Sequence, residues 1–221
     1  PVTTLFKCLL SDQSDKYLKE CENNKIDPDP RKILGMTGEE ILSLFYDNIP
    51  YKKNEFGWSF KQDLSFFKSK ILNFDILDSK NGKVLLTKGT KVNQKIINDL
   101  KKKNISNISV SEDSLLGFFL SSDIIDEKTG KIFFEAGYEI DESFLEFINS
   151  NKINRIDILK VDNIEIGSYI RNTLQLDKAR SREEALFEIF KILRPGEPPT
   201  IETAENLFNN LFFNADRYDL S

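Results

Sequence analysis

The chain has 221 residues, of which 39% are hydrophobic and 30% charged, a composition typical of one or two globular domains with hydrophobic cores. It contains no histidine and only two cysteines, which excludes Ser-His-Asp and Cys-His catalytic sites and a zinc site built from Cys and His. No apolar run is long enough for a membrane helix and no secretory leader is evident, so we expect a cytoplasmic protein, and the net charge of −5 argues against indiscriminate binding of nucleic acid.

The first 50 residues predict helices separated by a polar loop. Residues 2–10 predict a helix that buries one face, which carries Val2, Leu5, Phe6 and Leu9. Residues 11–30 are polar and end in two Asp-Pro pairs, which predict a loop with a short helix around residues 17–21. Thr37, followed three residues later by Glu40, is typical of a capping box that begins another helix.

A gapless internal repeat occupies most of the strand-rich region after Pro50. The first predicted strand of this region carries, on one side, Phe56, Trp58 and Phe60. Gly82 and Gly130 are 48 residues apart, and the same offset aligns two units at about 74–110 and 122–158. Each unit predicts strand, tight turn, strand, helix and strand. Because one such unit is too small to keep a folded core alone, the two are predicted to form one subdomain.

Acidic pairs recur at the same place in both repeats and could in principle hold a hard cation. They are Asp75 with Asp78 and Asp123 with Asp126. Because these residues flank hairpin turns, where Asp accepts hydrogen bonds from backbone N–H groups, we predict a structural role in the turns.

The two repeats carry opposite charge. Residues 74–110 hold eight lysines against three aspartates, a balance of +5, and residues 122–158 hold four basic against nine acidic side chains, a balance of −5. One interpretation is that two solvated helix faces attract one another. The other is that a basic face meets nucleic acid or an acidic regulator. This candidate docking face consists of Lys91, Lys95, Lys101, Lys102 and Lys103.

Helical patterns return after Gly167 and flank a stiff loop. Ser181 and Glu184 are typical of a capping box that begins one helix, and Thr200 can cap the next. Three prolines restrict the loop Arg194–Pro199 between them.

These elements predict an α+β fold with a discontinuous helical part. Residues 1–50 and 168–221 are predicted to form one mainly helical domain. An inserted subdomain at 51–167, with the two tandem β-β-α-β repeats, interrupts it. Insertions of this kind occur at exposed loop tips and fold semi-independently.

Two arginines of the C-terminal part have two interpretations each. Arg194 stands where a helix ends, so its guanidinium could reach a phosphate or base edge, or complement the helix dipole. Arg217 could likewise contact DNA or form a local salt bridge.

Several segments match one known family. They are Arg194-Pro195-Gly196-Glu197-Pro198-Pro199-Thr200, Ala204 to Phe208, Asn210 to Phe213, Asp216-Arg217-Tyr218-Asp219-Leu220-Ser221, Gly167 to Leu174, Pro1 to Leu5 and Glu40 to Phe45. In these residues the chain resembles the β subunit of bacterial DNA-directed RNA polymerase. The repeat region resembles the lineage-specific insertion that proteobacterial β subunits carry at this place. Only the loop at 11–30 departs from the family, and the chain is expected to be an excised piece of such a subunit.

The resemblance implies a part of the lobe, the β-subunit domain that forms one jaw of the DNA cleft. The loop Arg194–Pro199 is similar to the family's gate loop, which faces the clamp across the cleft. By that similarity Arg194, Glu197 and Arg217 are candidate DNA-proximal residues. The segment is expected to carry no catalytic residue of the nucleotidyltransferase and no cofactor, since the family's Mg²⁺ is bound by the β′ subunit.

The resemblance also implies the partners. They are the rest of β, the β′, α and σ subunits, promoter and downstream DNA, and regulators that dock on the insertion. The alternative hypothesis is a free-standing protein-interaction module of duplicated β-β-α-β units.

Overall fold

The computed structural model has a mixed α/β fold. The described residues are 1–61, 67–103, 105, 107–126, 128–161 and 166–215. They contain eight α-helices, a six-stranded antiparallel sheet and a separate two-stranded antiparallel sheet. The chain divides into a helical unit, formed by Pro1–Ile41 and the described residues from Tyr169 onward, and a sheet unit, Leu42–Ser168. The sequence predicts the first boundary between the two parts at residues 50 and 51, whereas the structure has it between Ile41 and Leu42.

The helical unit joins helices from both parts of the chain, as the predicted fold class requires. Its helices are α1 (Val2–Cys8), α2 (Asp12–Asn24), the start of α3 (Gly38–Phe45), α6 (Tyr169–Leu176), α7 (Arg182–Leu193) and α8 (Ile201–Phe212). Helix α7 contacts both α1 and α8, and α1 also contacts α6. The shared core is small and consists mainly of Cys8, Ala179, Ala185, Leu186, Phe190, Ala204 and Phe208.

The structure has a helix where the sequence predicted a short one around residues 17–21, but α2 spans Asp12–Asn24 and replaces most of the predicted loop. Ser11 caps the helix through a hydrogen bond from the Ser14 N–H to its hydroxyl, and acidic residues in the first turn favour the helix dipole. The hydroxyl of Ser14 is buried, accepts from the Leu34 N–H at 2.7 Å and donates to the Lys32 carbonyl at 3.1 Å. The helix is thus anchored by polar contacts, which hydrophobic periodicity does not detect.

The buried face of α1 also differs from the predicted one. Val2 is 46% exposed, whereas Thr3, Thr4 and Cys8 are buried. Leu5 and Leu9 pack against the core as predicted, and Thr3 and Thr4 are buried as well because their hydroxyl groups have a buried acceptor, Asp177.

Asp177 is a buried carboxylate that joins the two parts of the helical unit. Its side chain is fully shielded from solvent. It accepts hydrogen bonds from the hydroxyls of Thr3 at 2.7 Å and Thr4 at 3.2 Å and from the Ala179 N–H at 3.1 Å. The ammonium group of Lys7 lies 3.2 Å from the carboxylate and also donates to the Ala179 carbonyl at 2.6 Å. These contacts tie α1 to residues at least 170 positions away.

The surroundings of Asp177 favour its ionised form. Burial alone raises the pKa of the carboxyl, but the hydrogen bonds from Thr3 and Ala179 and the charge of Lys7 outweigh it and lower the pKa below the ordinary value. A carboxyl whose pKa is lower in the folded than in the unfolded state stabilises the fold above its unfolded pKa. That contribution is lost as the pH falls through the folded pKa.

The two repeats form the predicted β-β-α-β units at the predicted offset. In the first, β3 (Ile76–Asp78), β4 (Val84–Leu86), α4 (Gln94–Lys102) and β5 (Asn107–Val110) follow one another. In the second, the corresponding elements are β6 (Ile124–Ile125), β7 (Ile132–Phe134), α5 (Glu142–Ser150) and β8 (Arg155–Leu159). Asn93 and Asp141 cap the two helices through equivalent hydrogen bonds, each 2.9 Å long.

A hairpin, β1 (Asn48–Asn54) with β2 (Gly57–Lys61), joins the two repeats. The strand order of the large sheet is β4-β3-β5-β2-β1-β8, so the hairpin lies between the last strands of the two repeats. Trp58 pairs with Val110 of the first repeat, and Tyr51 pairs with Ile156 of the second. Tyr51 and Trp58 are among the largest fully buried side chains. The repeats therefore share a core through the hairpin.

Phe56 lies in the turn of this hairpin and not beside Trp58 and Phe60 on a strand, which corrects the sequence interpretation. Its ring covers Gly82, where a Cβ atom would come within 2.5 Å of the ring. Gly82 also has φ +68°, a conformation that favours glycine. Another residue at this position would have to displace the Phe56 ring and adopt a left-handed backbone, so glycine suits the contact between the hairpin turn and the first repeat.

The α-helices among the described residues are too short or too polar for a membrane span.

The Asp177 contacts predict a large and pH-dependent effect of Asp177→Ala. The substitution removes the carboxylate that pairs with Lys7 and leaves the Thr3 and Thr4 hydroxyls without this acceptor, so the helical unit loses about 3–5 kcal/mol at pH 7. Because the pKa of Asp177 is lowered, the difference between wild type and variant shrinks as the pH falls below about 4. Hydrogen exchange of the α1 and α7 amides measures both effects.

The exposed Asp15, which pairs with Lys19, provides the matched control. Asp15→Ala should change exchange in α1 and α7 little, because exposed ion pairs contribute little to stability. Equal exchange in wild type and Asp177→Ala at pH 7 would contradict the role given to the buried carboxylate.

Candidate functional site

The loop Arg194–Pro199 connects two helices that are both anchored in the core of the helical unit. Helix α7 buries Phe190 immediately before the loop, and α8 buries Ala204 immediately after it. The Arg194 N–H donates to the Phe190 carbonyl at 2.7 Å, and Thr200 begins α8 with a reciprocal hydrogen bond to Thr203. Both ends of the loop are therefore fixed in position.

The loop itself is exposed and conformationally restricted. Gly196 has φ +89°, and a Cβ atom at this position would meet no atom within 4 Å. The requirement for glycine therefore comes from the backbone conformation and not from lack of space. Together with three prolines, it limits the conformations available to the loop.

The structure brings two of the three candidate DNA-proximal residues together. The Arg194 guanidinium lies 3.3 Å from the Glu197 carboxylate, and the two side chains are 55% and 56% exposed. Both interpretations of Arg194 from the sequence, a contact with a phosphate or base and complementation of the helix dipole, assumed a guanidinium without a side-chain partner. The ion pair with Glu197 was therefore not predicted. Arg217 lies outside the described residues.

The five lysines of the candidate docking face lie on and around α4. All are exposed, and the helix faces the core with the opposite side, which carries Ile96, Ile97 and Leu100. Within the part of the chain that the structure describes, none of the five forms an ion pair with an acidic side chain. The described ion pairs therefore do not support an attraction between the two repeats through these lysines.

The acidic pairs of the repeats hold their turns, as predicted. Asp75 accepts from the Lys88 N–H and Asp123 from the Ala136 N–H, both at 2.6 Å. Asp78 and Asp126 each accept from the N–H two residues later at 2.9 Å. The Thr129 hydroxyl and the Lys128 N–H lower the pKa of Asp126. Among the described residues, no group of three or more Cys, Asp or Glu side chains is placed to hold a metal ion.

The thiol of Cys8 is placed as a core group and not as a nucleophile. It is buried, and its sulfur lies 3.4 Å from the Thr4 carbonyl oxygen. Burial raises the pKa of the thiol to about 12, although the nearby Arg182 opposes this shift. The thiolate needed for covalent catalysis is therefore scarce at neutral pH.

The helical unit also contains a basic cleft that sequence analysis missed. The cleft has a volume of about 420 Å³, and its basic lining residues are Lys7, Arg31, Arg180 and Arg182. Arg182 donates to the Cys8 carbonyl at 3.0 Å and forms a short ion pair with Glu205, and Arg31 pairs with Asp29. The basic groups come from three distant segments, so no local pattern could have identified the cleft. The partners of Lys7 and Arg182 show that these two side chains support the fold, whereas Arg31 forms only an exposed local pair.

The chain is similar over most of its length to β subunits of bacterial DNA-directed RNA polymerase. It is 49% identical over 188 residues to the "DNA-directed RNA polymerase subunit beta" of Bartonella tribocorum and 52% identical over 188 residues to those of Brucella canis and Brucella suis. Each match covers 85% of this chain and 14% of the relative, so the chain spans a small part of the length of these curated relatives. No protein-family model matches the chain.

The exposure of the Arg194–Glu197 pair predicts that the loop can be changed without loss of the fold. Arg194→Ala should alter the free energy of unfolding by less than about 1 kcal/mol, since exposed ion pairs contribute little. Gly196→Ala should destabilise more, because alanine is strained at φ +89°. Chemical denaturation of both variants checks this order, and a larger loss from Arg194→Ala would contradict it.

Proposed function

We propose that this chain, which is homologous to one segment of the β subunit of bacterial DNA-directed RNA polymerase, forms part of the subunit's lobe on one side of the DNA cleft. The single observation that carries the proposal is the 49–52% identity over 188 residues. The 188 matched residues are more than the sheet unit, Leu42–Ser168, contains, so the similarity extends into the helical unit. The identity therefore favours a polymerase segment over a free-standing module built from the repeats alone.

The loop Arg194–Pro199 acts, in this proposal, as a gate that faces the clamp across the cleft. Its support is the combination of fixed ends, restricted backbone and exposed charged side chains. A stiff loop loses little conformational entropy when it meets a partner, so it can hold Arg194 and Glu197 in one place. The guanidinium can reach a DNA phosphate by exchanging its exposed partner, Glu197, for the phosphate.

The segment contributes position and not chemistry to the polymerase. The polymerase reaction needs Mg²⁺, and the paired acids of the described residues do not suit it, because they already accept hydrogen bonds from backbone N–H groups of their turns. In this proposal the nucleotidyl transfer and its metal belong to other parts of the enzyme, with Mg²⁺ bound by the β′ subunit.

The sheet unit serves, in this proposal, as a lineage-specific docking surface for transcription regulators. The support is an apolar patch on the two-stranded sheet of the second repeat. Ile125, Ile132 and Phe133 are 52%, 46% and 42% exposed. In the described sheets the strands β6 and β7 pair only with each other, and in this proposal a partner strand adds to an edge of this hairpin. A protein partner can use both the edge and the apolar side chains.

The gate proposal predicts a defect when the loop loses its stiffness in an intact polymerase that carries this segment. Replacing Arg194–Pro199 by a Gly/Ser loop of equal length should slow open-complex formation by several-fold and shift the clamp toward its open state. Stopped-flow fluorescence of a labelled promoter measures the first effect, and energy transfer between lobe and clamp measures the second.

A control polymerase carries Gly-Ser in place of the exposed Lys80-Asn81 turn of the first repeat. This control should form open complexes at the wild-type rate and keep the wild-type distance between lobe and clamp. Unaltered open-complex formation together with unaltered clamp closure in the loop variant would refute the gate role.

A further inference from the structure

We infer that the lysine face, defined as Lys91, Lys95, Lys101, Lys102 and Lys103, binds the phosphate backbone of duplex DNA without reading its sequence. This surface lies in the sheet unit and the gate loop in the helical unit. The inference depends only on the charge and geometry around α4, so it does not require the gate to act as proposed.

The lysine face is extended enough to meet several phosphates at once. Helix α4 has nine residues and is therefore about 14 Å long, and that length of duplex carries about eight phosphates on its two strands. Lys91 precedes the helix, Lys95 lies in its first turn, and Lys101, Lys102 and Lys103 surround its end. The only acidic residue of α4 is Asp99.

The second repeat shows that the scaffold does not need these lysines. At the 48-residue offset, Lys91 corresponds to Glu139 and Lys95 to Ser143, and the three lysines at the helix end correspond to Asn149, Ser150 and Asn151. Helix α5 nevertheless has the same length and the same kind of N-cap as α4. The lysines are therefore not explained by helix formation, by capping or by complementation of the helix dipole.

The chemistry of the face fits a polyanion better than a protein surface. Protein interfaces are depleted in lysine and enriched in aromatic residues. On α4, the exposed side contains no large apolar side chain, and between the lysines it carries the amides Gln94 and Asn98. Lysine ammonium groups and side-chain amides are the groups that hydrogen-bond DNA phosphates without reading bases.

The inference agrees with the acidic balance of the whole chain, because the lysines are concentrated on one face. The net charge of −5 repels DNA from other surfaces, so binding should be weak at physiological salt and measurable at low salt. Each lysine that contacts a phosphate should contribute about −0.9 to the slope of log K against log salt concentration.

The test measures binding of the full 221-residue chain to a fluorescein-labelled duplex of random sequence by anisotropy at several salt concentrations. One variant carries Lys→Gln at the five positions of the lysine face. Its affinity at about 50 mM salt should fall at least about tenfold, and its salt slope should lose about three or more. Circular dichroism establishes that the variant is folded.

A charge-matched variant separates local from net charge. It carries Lys→Gln at five exposed lysines of the helical unit, which are Lys16, Lys19, Lys25, Lys178 and Lys191. It should keep most of the wild-type salt slope. Equal losses in both variants, or no loss in the lysine-face variant, would overturn the inference. Binding of an acidic polyglutamate peptide at least as tight as that of the duplex would also overturn it, in favour of an acidic protein partner.

Discussion

The helical unit depends on one buried carboxylate. Asp177 lies between Thr3, Thr4 and Lys7 of the first helix and the Ala179 N–H that precedes α7. The hydrophobic core of this unit is small and rich in alanine, so apolar burial alone specifies the arrangement of its helices weakly. A buried charge tolerates only an arrangement that satisfies it, because an unpaired carboxylate in the interior is costly. The polar contacts therefore give the packing of α1 its specificity.

The sheet unit combines two similar halves, each of which is too small to be expected to keep a folded core alone. The hairpin β1–β2 supplies the two strands between them and the large side chains Tyr51 and Trp58 for the common core. The repeats can then differ on their outer surfaces without loss of the scaffold. The first repeat presents the lysine face, and the second presents an apolar patch and an acidic balance. One duplicated scaffold thus offers two surfaces of different chemistry.

Features with local signals could be predicted from the sequence. The repeats, their helix caps and turn acids, and the stiff loop depend on residues close together in the chain. Features that depend on distant partners could not. Helix α2 is held by Ser14, and the two buried threonines of α1 are explained only by Asp177, more than 170 residues away. The Arg194–Glu197 pair is local, but sequence analysis considered only distant ligands and the helix dipole for Arg194.

The central claim is that the two separated parts of the helical unit fold together without the sheet unit. The most direct measurement replaces residues 46–168 by a flexible Gly/Ser linker, which leaves α3 whole, and follows thermal unfolding and amide hydrogen exchange. The account predicts a cooperative transition and protected amides in α1 and α7, with both lost on Asp177→Ala. A shortened chain without a cooperative transition, or one in which α1 exchanges freely while α7 is protected, would contradict it.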